Sequence, residues 1–274
     1  SVNFMEETKK TTKDYWENLW NNENKYNRID VKSLDFKTYI KNYHYRKVFK
    51  KLDSVLSKLP KNAKVLELGC ANSPWLPFLA KEYGFSVEGI DYSEKGCKLC
   101  EIILASEGIR DYNIVCSDFF DVSKEIKNRY DMAFSFGVVE HFKNTDEIIT
   151  IFSSFLKENG ILITGIPNMG SFYGKLQKFF SKEIYELHNP INLNSLSKAY
   201  SQSGLRILNM FYLYNFNLNN INPGNSQRKV LYKVLNNKLS KITFILIDYI
   251  LSGIGINNKF LGSYMIILGA KVKQ

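Results

Sequence analysis

KVLELGCANS, residues 64–73, is a short apolar run that ends in Glu67-Leu68-Gly69 and opens into a helix-forming stretch. A second run, Val87-Glu88-Gly89-Ile90, ends in Asp91, 22 positions beyond Gly69. Two strands ending this way, one in glycine and the next in an acid, predict a nucleoside lying across the ends of neighbouring parallel strands. Glycine lets a ligand approach the backbone where a Cβ would intrude. A carboxylate that closes the following strand can accept both hydroxyls of a ribose.

The rest of the turn discriminates between nucleosides. A dinucleotide fingerprint needs G-x-G-x-x-G, so that a pyrophosphate rests on the helix N-terminus. Here the turn is Gly69-Cys70-Ala71-Asn72-Ser73-Pro74, with one glycine and the acid Glu67 before it. An acid facing the ligand repels a pyrophosphate and suits a cation. S-adenosylmethionine (SAM) has a sulfonium, an ammonium and a ribose, and no phosphate. On these residues the chain resembles the class I SAM-dependent methyltransferases, with Ala71 and Ser73 standing where their first motif usually has glycines.

The resemblance extends over residues 60–212. Tyr112–Val115 is a third strand, followed by Cys116-Ser117-Asp118-Phe119; Tyr130–Ser135 is a fourth, followed by Phe136-Gly137-Val138-Val139-Glu140-His141-Phe142. This last segment is similar to the fourth motif of quinone-biosynthesis O-methyltransferases and cyclopropane-lipid synthases. Leu156–Gly160 turns into a fifth strand, Ile161–Thr164, ending at Pro167-Asn168. The resemblance implies an α/β fold: a Rossmann-like doubly wound seven-stranded sheet with an antiparallel last strand, Ser263–Val272. It implies SAM as cofactor, with Glu67 and Gly69 at its methionyl end, Asp91 at the ribose, Asp118 and Phe119 around the adenine, Phe136-Gly137 lining the cleft, and Cys70, Ala71 and Tyr92 among the cofactor-binding residues. It also matches Arg46 to an arginine that pairs with the methionyl carboxylate, for which a guanidinium is geometrically suited.

Two further pieces surround this core. Residues 1–59 are read as an N-terminal lid, helical over Lys13–Leu59, with Tyr15, Trp16 and Trp20 as an aromatic patch. The methyltransferase domain then occupies 60–274, with a cap at 168–189 inserted after the fifth strand. Asn192–Ser203 reads as a helix, Leu205–Tyr212 as a strand, 215–227 as a polar loop and 228–251 as one long helix.

Methyl transfer to a hydroxyl is assisted by a base. Of three histidines, His141 falls at the rim past the fourth strand and is the first candidate for base or acceptor-orienting residue, although that position also suits a loop-shaping role. His188, beside the cap, is the second. His44 sits in the lid. Cys97 and Cys100 form C-x-x-C without a second ligand pair, so helix packing is expected and no metal is. The fourth motif lacks the Asn/Asp-Pro-Pro-Tyr pattern of enzymes that hold a flipped base, so nucleic acid is not the expected substrate.

The composition is that of a globular enzyme: 274 residues, 45% apolar, 14% aromatic. Glu6, Glu7, Lys9 and Lys10 interrupt any apolar run near the start, so no secretory leader is expected. Four unpatterned cysteines fit a reducing compartment, the cytoplasm. From His188 onward there are ten Lys or Arg and one acid, Asp248, so this segment carries +9 of the net +10. That asymmetry fits an anionic acceptor, such as a phosphorylated or glycan-type molecule, or a solvated face, or peripheral contact with anionic membrane. Ile242–Ile256 is too short and too charged to span a bilayer. The expected activity is O-methylation of a small-molecule or glycan-type acceptor. Carbon methylation of a lipid, with Glu140 holding a carbonate-like base, and a non-catalytic SAM-binding partner protein remain open, as does the oligomeric state.

Overall fold

Adjacent residues of the central strands point to opposite sides of a sheet, and in this chain both sides are apolar, as a parallel sheet covered by helices requires. The computed structural model describes residues 9–20, 26–122, 126–215 and 221–273. Glu6 and Glu7, part of the lid segment and part of the polar loop lie outside the described residues.

The elements run α1 (Lys13–Leu19), α2 (Phe36–Leu56), β1 (Lys64–Leu68), α3 (Trp75–Tyr83), β2 (Ser86–Asp91), α4 (Glu94–Ser106), β3 (Tyr112–Cys116), β4 (Tyr130–Phe136), α5 (Thr145–Ser154) and β5 (Leu156–Pro167). They continue with α6 (Phe172–Phe180), α7 (Lys182–Glu186), α8 (Leu193–Gln202), β6 (Leu205–Asn215), α9 (Lys229–Leu235), α10 (Lys238–Gly253) and β7 (Gly262–Lys271). The seven-stranded sheet has the order β3-β2-β1-β4-β5-β7-β6. Pairing is parallel through β5, and β7 runs antiparallel between β5 and β6. This is the Rossmann-like methyltransferase arrangement expected from the sequence.

Alternation along the strands builds two cores. Val65, Val87, Met132 and Ile163 face α2 and α3, where Leu52, Leu56, Leu76 and Leu79 cover them. Their neighbours Leu66, Ile90, Ala133 and Leu162 face α5 and α8, where Phe152, Leu196 and Tyr200 do the same. The chain winds outward from β1 to β3 and then returns to β4 on the other side of β1. Such a reversal opens a crevice beyond the carboxyl ends of β1 and β4.

Two predicted helices are each broken in two, for the same reason: short polar side chains take backbone N–H groups that would otherwise continue a helix. In the lid, Asp30 accepts from the N–H of Lys32 and Ser33, and Asp35 accepts from Thr38 at 2.8 Å and caps α2. Near the C-terminus, Asn237 accepts from the N–H of Ser240 at 3.0 Å, starting α10 where α9 has stopped. The sixth strand also runs on to Asn215, because Leu213 and Asn215 pair with Tyr264 and Gly262 of β7. The segment expected to form a cap, 168–189, contains α6 and α7.

Candidate functional site

The turn after β1 is built from small residues packed on small residues. Gly69 has φ +80°, and its N–H and that of Cys70 donate to the carbonyl of Ile90 at 2.8 and 3.2 Å. A Cβ on Gly69 would lie 2.5 Å from Cγ2 of Val138, in the loop after β4. The Ala71 methyl fills the space over Gly96, where an added Cβ would approach to 2.7 Å, and Cys70 packs likewise on Gly89. Ser73 accepts from the N–H of Trp75 and Leu76 at 3.1 and 3.2 Å, satisfying the first turn of α3. Ala71 and Ser73 therefore replace the usual glycines without disturbing the turn.

Two acids close the strand ends. Asp91 is buried; its Oδ1 accepts from Ser93 N at 2.9 Å and its Oδ2 from Ala71 N at 3.1 Å. Burial raises its carboxyl above the ordinary range, and these N–H groups oppose the shift. Glu67 is 4% exposed, and its Oε2 has no hydrogen-bond partner among the described residues. Burial pushes Glu67 well up, Ser73 opposes this, and the nearby Asp91 adds to it. A buried carboxylate lacking a partner is costly, so the pair is poised for a ligand that brings cationic charge and hydroxyl donors.

Both acids line a cavity of about 540 Å³. Of the residues expected at the site, Gly69, Tyr92, Phe119, Phe136, Gly137 and His141 share that cavity with them. Cys70 and Ala71 lie behind it as part of the turn, and neither lines it. Asp118 is also outside the lining: Lys9 pairs with it and the N–H of Phe120 donates to it at 3.2 Å. Arg46 is turned away, its guanidinium bonded to the carbonyl of Ser33 and lying 4.7 Å from the ring centroid of Tyr39. Lysines that the sequence reading did not single out, Lys9 and Lys41, do line the cavity. So do Tyr214 and Tyr264, which come together because β6 and β7 pair. No local signal marks those tyrosines as facing the end of β1, about 150 and 200 residues upstream.

The N-terminal segment packs directly on this cavity. Lys10 donates its N–H to the carbonyl of His141 at 2.8 Å, and its Nζ to the carbonyl of His188 at 2.8 Å. Trp16 and Trp20 line the cavity and Tyr15 does not; the Trp16 ring stands edge-on to His141 at 5.1 Å. Cap residues 168–189 do not line the cavity.

The cap instead supplies His188, whose ring centroid is 4.7 Å from that of His141. The Nδ1 of His141 faces the carbonyl of Leu187 at 3.0 Å, and the Nδ1 of His188 faces that of Ile184 at 2.7 Å. A carbonyl can only accept, so each Nδ1 carries its hydrogen and each neutral ring keeps a lone pair on Nε2. Burial, with His188 and Lys10 adding to it, pushes His141 down to about 3, so its imidazole is neutral at physiological pH. Burial also lowers His188. Glu140 is buried beside them and pushed up to about 8 by that burial. One donor atom each from Glu140, His141 and His188 lie within 4.8 Å of one another. His44 is also on the cavity wall, against Tyr214 at 4.7 Å. Cys97 and Cys100 are buried in α4 as free thiols, in the packing role expected.

A family model described as a methyltransferase domain matches residues 59–212. An EEF1A lysine methyltransferase 2 from Danio rerio is 31% identical over 114 residues, 38% of this chain and 48% of that protein. A ubiquinone biosynthesis O-methyltransferase from Pelagibacter ubique (strain HTCC1062) is 28% identical over 109 residues, 39% of this chain and 43% of that protein. The chain thus matches about half the length of these curated relatives. The crystal structure of geranyl diphosphate C-methyltransferase from Streptomyces coelicolor A3(2), with Mg2+, geranyl diphosphate and S-adenosyl-L-homocysteine, superposes with a TM-score of 0.61. The match covers 95% of this chain and 98% of that one at 13% identity, a likeness of fold alone.

Proposed function

The chain belongs to the class I methyltransferase-domain family and is a SAM-dependent enzyme; from that premise we propose that it methylates an oxygen of a small-molecule acceptor with an aromatic or apolar body. SAM supplies, when bound, a methyl group on a sulfonium that an acceptor lone pair can displace. The residues present fit it: the unpartnered Oε2 of Glu67 suits its cationic amino-acid end, and Asp91 its ribose hydroxyls. Gly69 and Gly137 line the cavity beside them. Tyr92 and Phe119 enclose the adenine, with the Lys9–Asp118 pair closing that end. Arg46 has no part in this assignment.

The observation that carries the acceptor reading is that His141 opens onto the same cavity as Glu67 and Asp91, among the rings of Trp16, Trp75, Phe136, Tyr214 and Tyr264. Aromatic walls favour a flat or apolar molecule. With its low basicity, His141 accepts a hydrogen bond from the acceptor hydroxyl and orients it; it does not hold the proton through the transfer. None of the ten Lys or Arg from His188 onward lines the cavity, so the anionic or glycan-type acceptor gains no support from them. Lysine is the second acceptor to test, favoured by the lysine methyltransferase among the relatives and by rings that attract a cation.

Incubation with methyl-labelled SAM and separate panels of phenols, aliphatic alcohols and lysine peptides distinguishes these. Label in a hydroxyl compound, with His141→Ala lowering kcat while SAM affinity by calorimetry is retained, is expected. Label in lysine alone overturns the oxygen assignment.

The basic C-terminal region is assigned to anionic lipid. Val230, Leu231, Val234, Leu239, Leu246 and Ile250 of α9 and α10 are exposed, alongside exposed Lys229, Lys233, Lys238 and Lys241. The segment's one acid, Asp248, is 3% exposed and bonded to Tyr43 and Lys47, so it does not offset the lysines. Apolar side chains beside lysines, with no exposed acid, match an interfacial helix. Among the described residues no helix is long and apolar enough to cross a membrane. Co-sedimentation with vesicles containing phosphatidylglycerol, and not with phosphatidylcholine alone, is expected, and Lys233→Glu with Lys241→Glu should abolish it. Equal binding to both vesicles, or a self-associating chain that ignores vesicles, overturns this.

A further inference from the structure

We propose that Glu140, His141 and His188 form a binding site for one divalent first-row transition-metal cation in the wall of the catalytic cavity. Three observations converge on it. The donor set is one carboxylate and two imidazoles, with one donor atom from each inside a 4.8 Å cluster. Such a set suits zinc, iron or cobalt, whereas magnesium and calcium prefer oxygen alone. Both histidine rings are fixed through Nδ1 on backbone carbonyls, of Leu187 and Ile184, which leaves Nε2 as the donor of each. That is how metal-ligating histidines are held in place. Glu140 is 2% exposed and its Oε2 has no hydrogen-bond partner among the described residues, nor is Glu140 in any ion pair among them. A buried carboxyl oxygen left without a partner is costly, and a cation bound between it and the two imidazoles would satisfy it.

The neighbours leave room for this charge assignment. Lys10, beside the two histidines, spends its Nζ on the carbonyls of Glu186 and His188. Trp16 shields His141 from one side. Three protein ligands leave a coordination position open, as in catalytic metal sites. With its Nε2 on the metal, His141 would no longer accept from the acceptor hydroxyl itself; the metal, held at the cavity that His141 lines, would take over that orienting role. Bound there, a hydroxyl would ionise at lower pH and release its proton to water; this last step rests on the oxygen-acceptor reading above, and the metal site itself does not.

The test uses the full chain, stripped with a chelator, dialysed and titrated with CoCl2. One equivalent should bind with visible ligand-field bands of a nitrogen–oxygen site. Glu140→Gln, nearly isosteric, and His188→Ala should each weaken binding by about tenfold or more. His188→Ala should leave SAM affinity unchanged, since His188 does not line the cavity. Absence of the bands, or Co2+ binding indifferent to both substitutions, overturns the site. If His188→Ala fails to fold, Glu140→Gln alone decides. Intact methyl transfer without Co2+ binding refutes the metal and spares the acceptor reading; Co2+ binding with label found only in lysine does the reverse.

Discussion

Gly69→Ala tests the strand-end geometry at a single atom. The residue sits at φ +80°, where a side chain costs about 1–2 kcal/mol. The new methyl would meet Cγ2 of Val138 at 2.5 Å, with Cβ and Cγ1 at 3.8 and 3.9 Å, so one methyl carries nearly all of the clash. Relief by pushing Val138 off its rotamer adds about 0.5–1.5 kcal/mol. The sum is roughly 1.5–3.5 kcal/mol. For a domain of this size that lowers the melting temperature by roughly 3–14 °C. Val138 also lines the cavity, so SAM affinity should fall with stability. The clash and the backbone strain separate in a double-mutant cycle. Val138→Ala removes the offending methyl, so the double variant should recover about 1 kcal/mol relative to the sum of the single effects, while the strain persists. Thermal and urea denaturation of the four proteins gives the coupling directly. A loss below about 0.5 kcal/mol for Gly69→Ala, or additive single effects, would refute the reasoning.

Three further outcomes follow from the same geometry. Asp91→Ala should abolish measurable SAM binding in calorimetry while the chain stays folded by circular dichroism; micromolar affinity in that variant would remove Asp91 from the ribose. Burial raises Glu67 and Asp91 in the free protein, so each holds its proton to higher pH than in the unfolded chain. The stability they contribute is therefore present below their unfolded values and lost as pH rises through the raised ones, and a cationic ligand reverses the preference. SAM binding should then release protons, and its affinity should fall as pH drops through that range; identical heats in buffers of different ionisation enthalpy would contradict this. Asp248→Ala strands Lys47, paired to it at 2.7 Å, and the N–H of Asn215 at 2.8 Å. A loss of about 3–5 kcal/mol is expected in urea unfolding, and a near-neutral result would show that the α2–α10 contact relaxes freely.

The strand-end half of the cavity was legible because its signals are local. Glu67, Gly69 and Asp91 fall within one strand–turn–helix–strand unit, whose alternating apolar pattern sets the position of each. Ala71 and Ser73 looked like departures until Gly96 and the first turn of α3 showed what they pack against and cap. The helix breaks at Asp30–Asp35 and Asn236–Asn237 were present as cap-forming residues, but the apolar periodicity on either side masked them. Arg46 illustrates the opposite failure: its type was suitable, yet the turn of α2 aims it at Ser33 and Tyr39.

By itself, then, the order of residues determined the doubly wound sheet, its antiparallel final strand and the acids at the strand ends. Contiguous periodicity dictates which face of a strand is buried, and a glycine–acid spacing survives any arrangement of the remaining chain. Only the tertiary structure decided the aromatic wall of the cavity and the Glu140–His141–His188 cluster. Histidines 47 positions apart meet because the cap folds back over the loop after β4. Tyr214 and Tyr264 reach the cavity through antiparallel pairing of distant strands. Such contacts depend on where each connection ends and in which direction it returns, information that no stretch of sequence holds on its own.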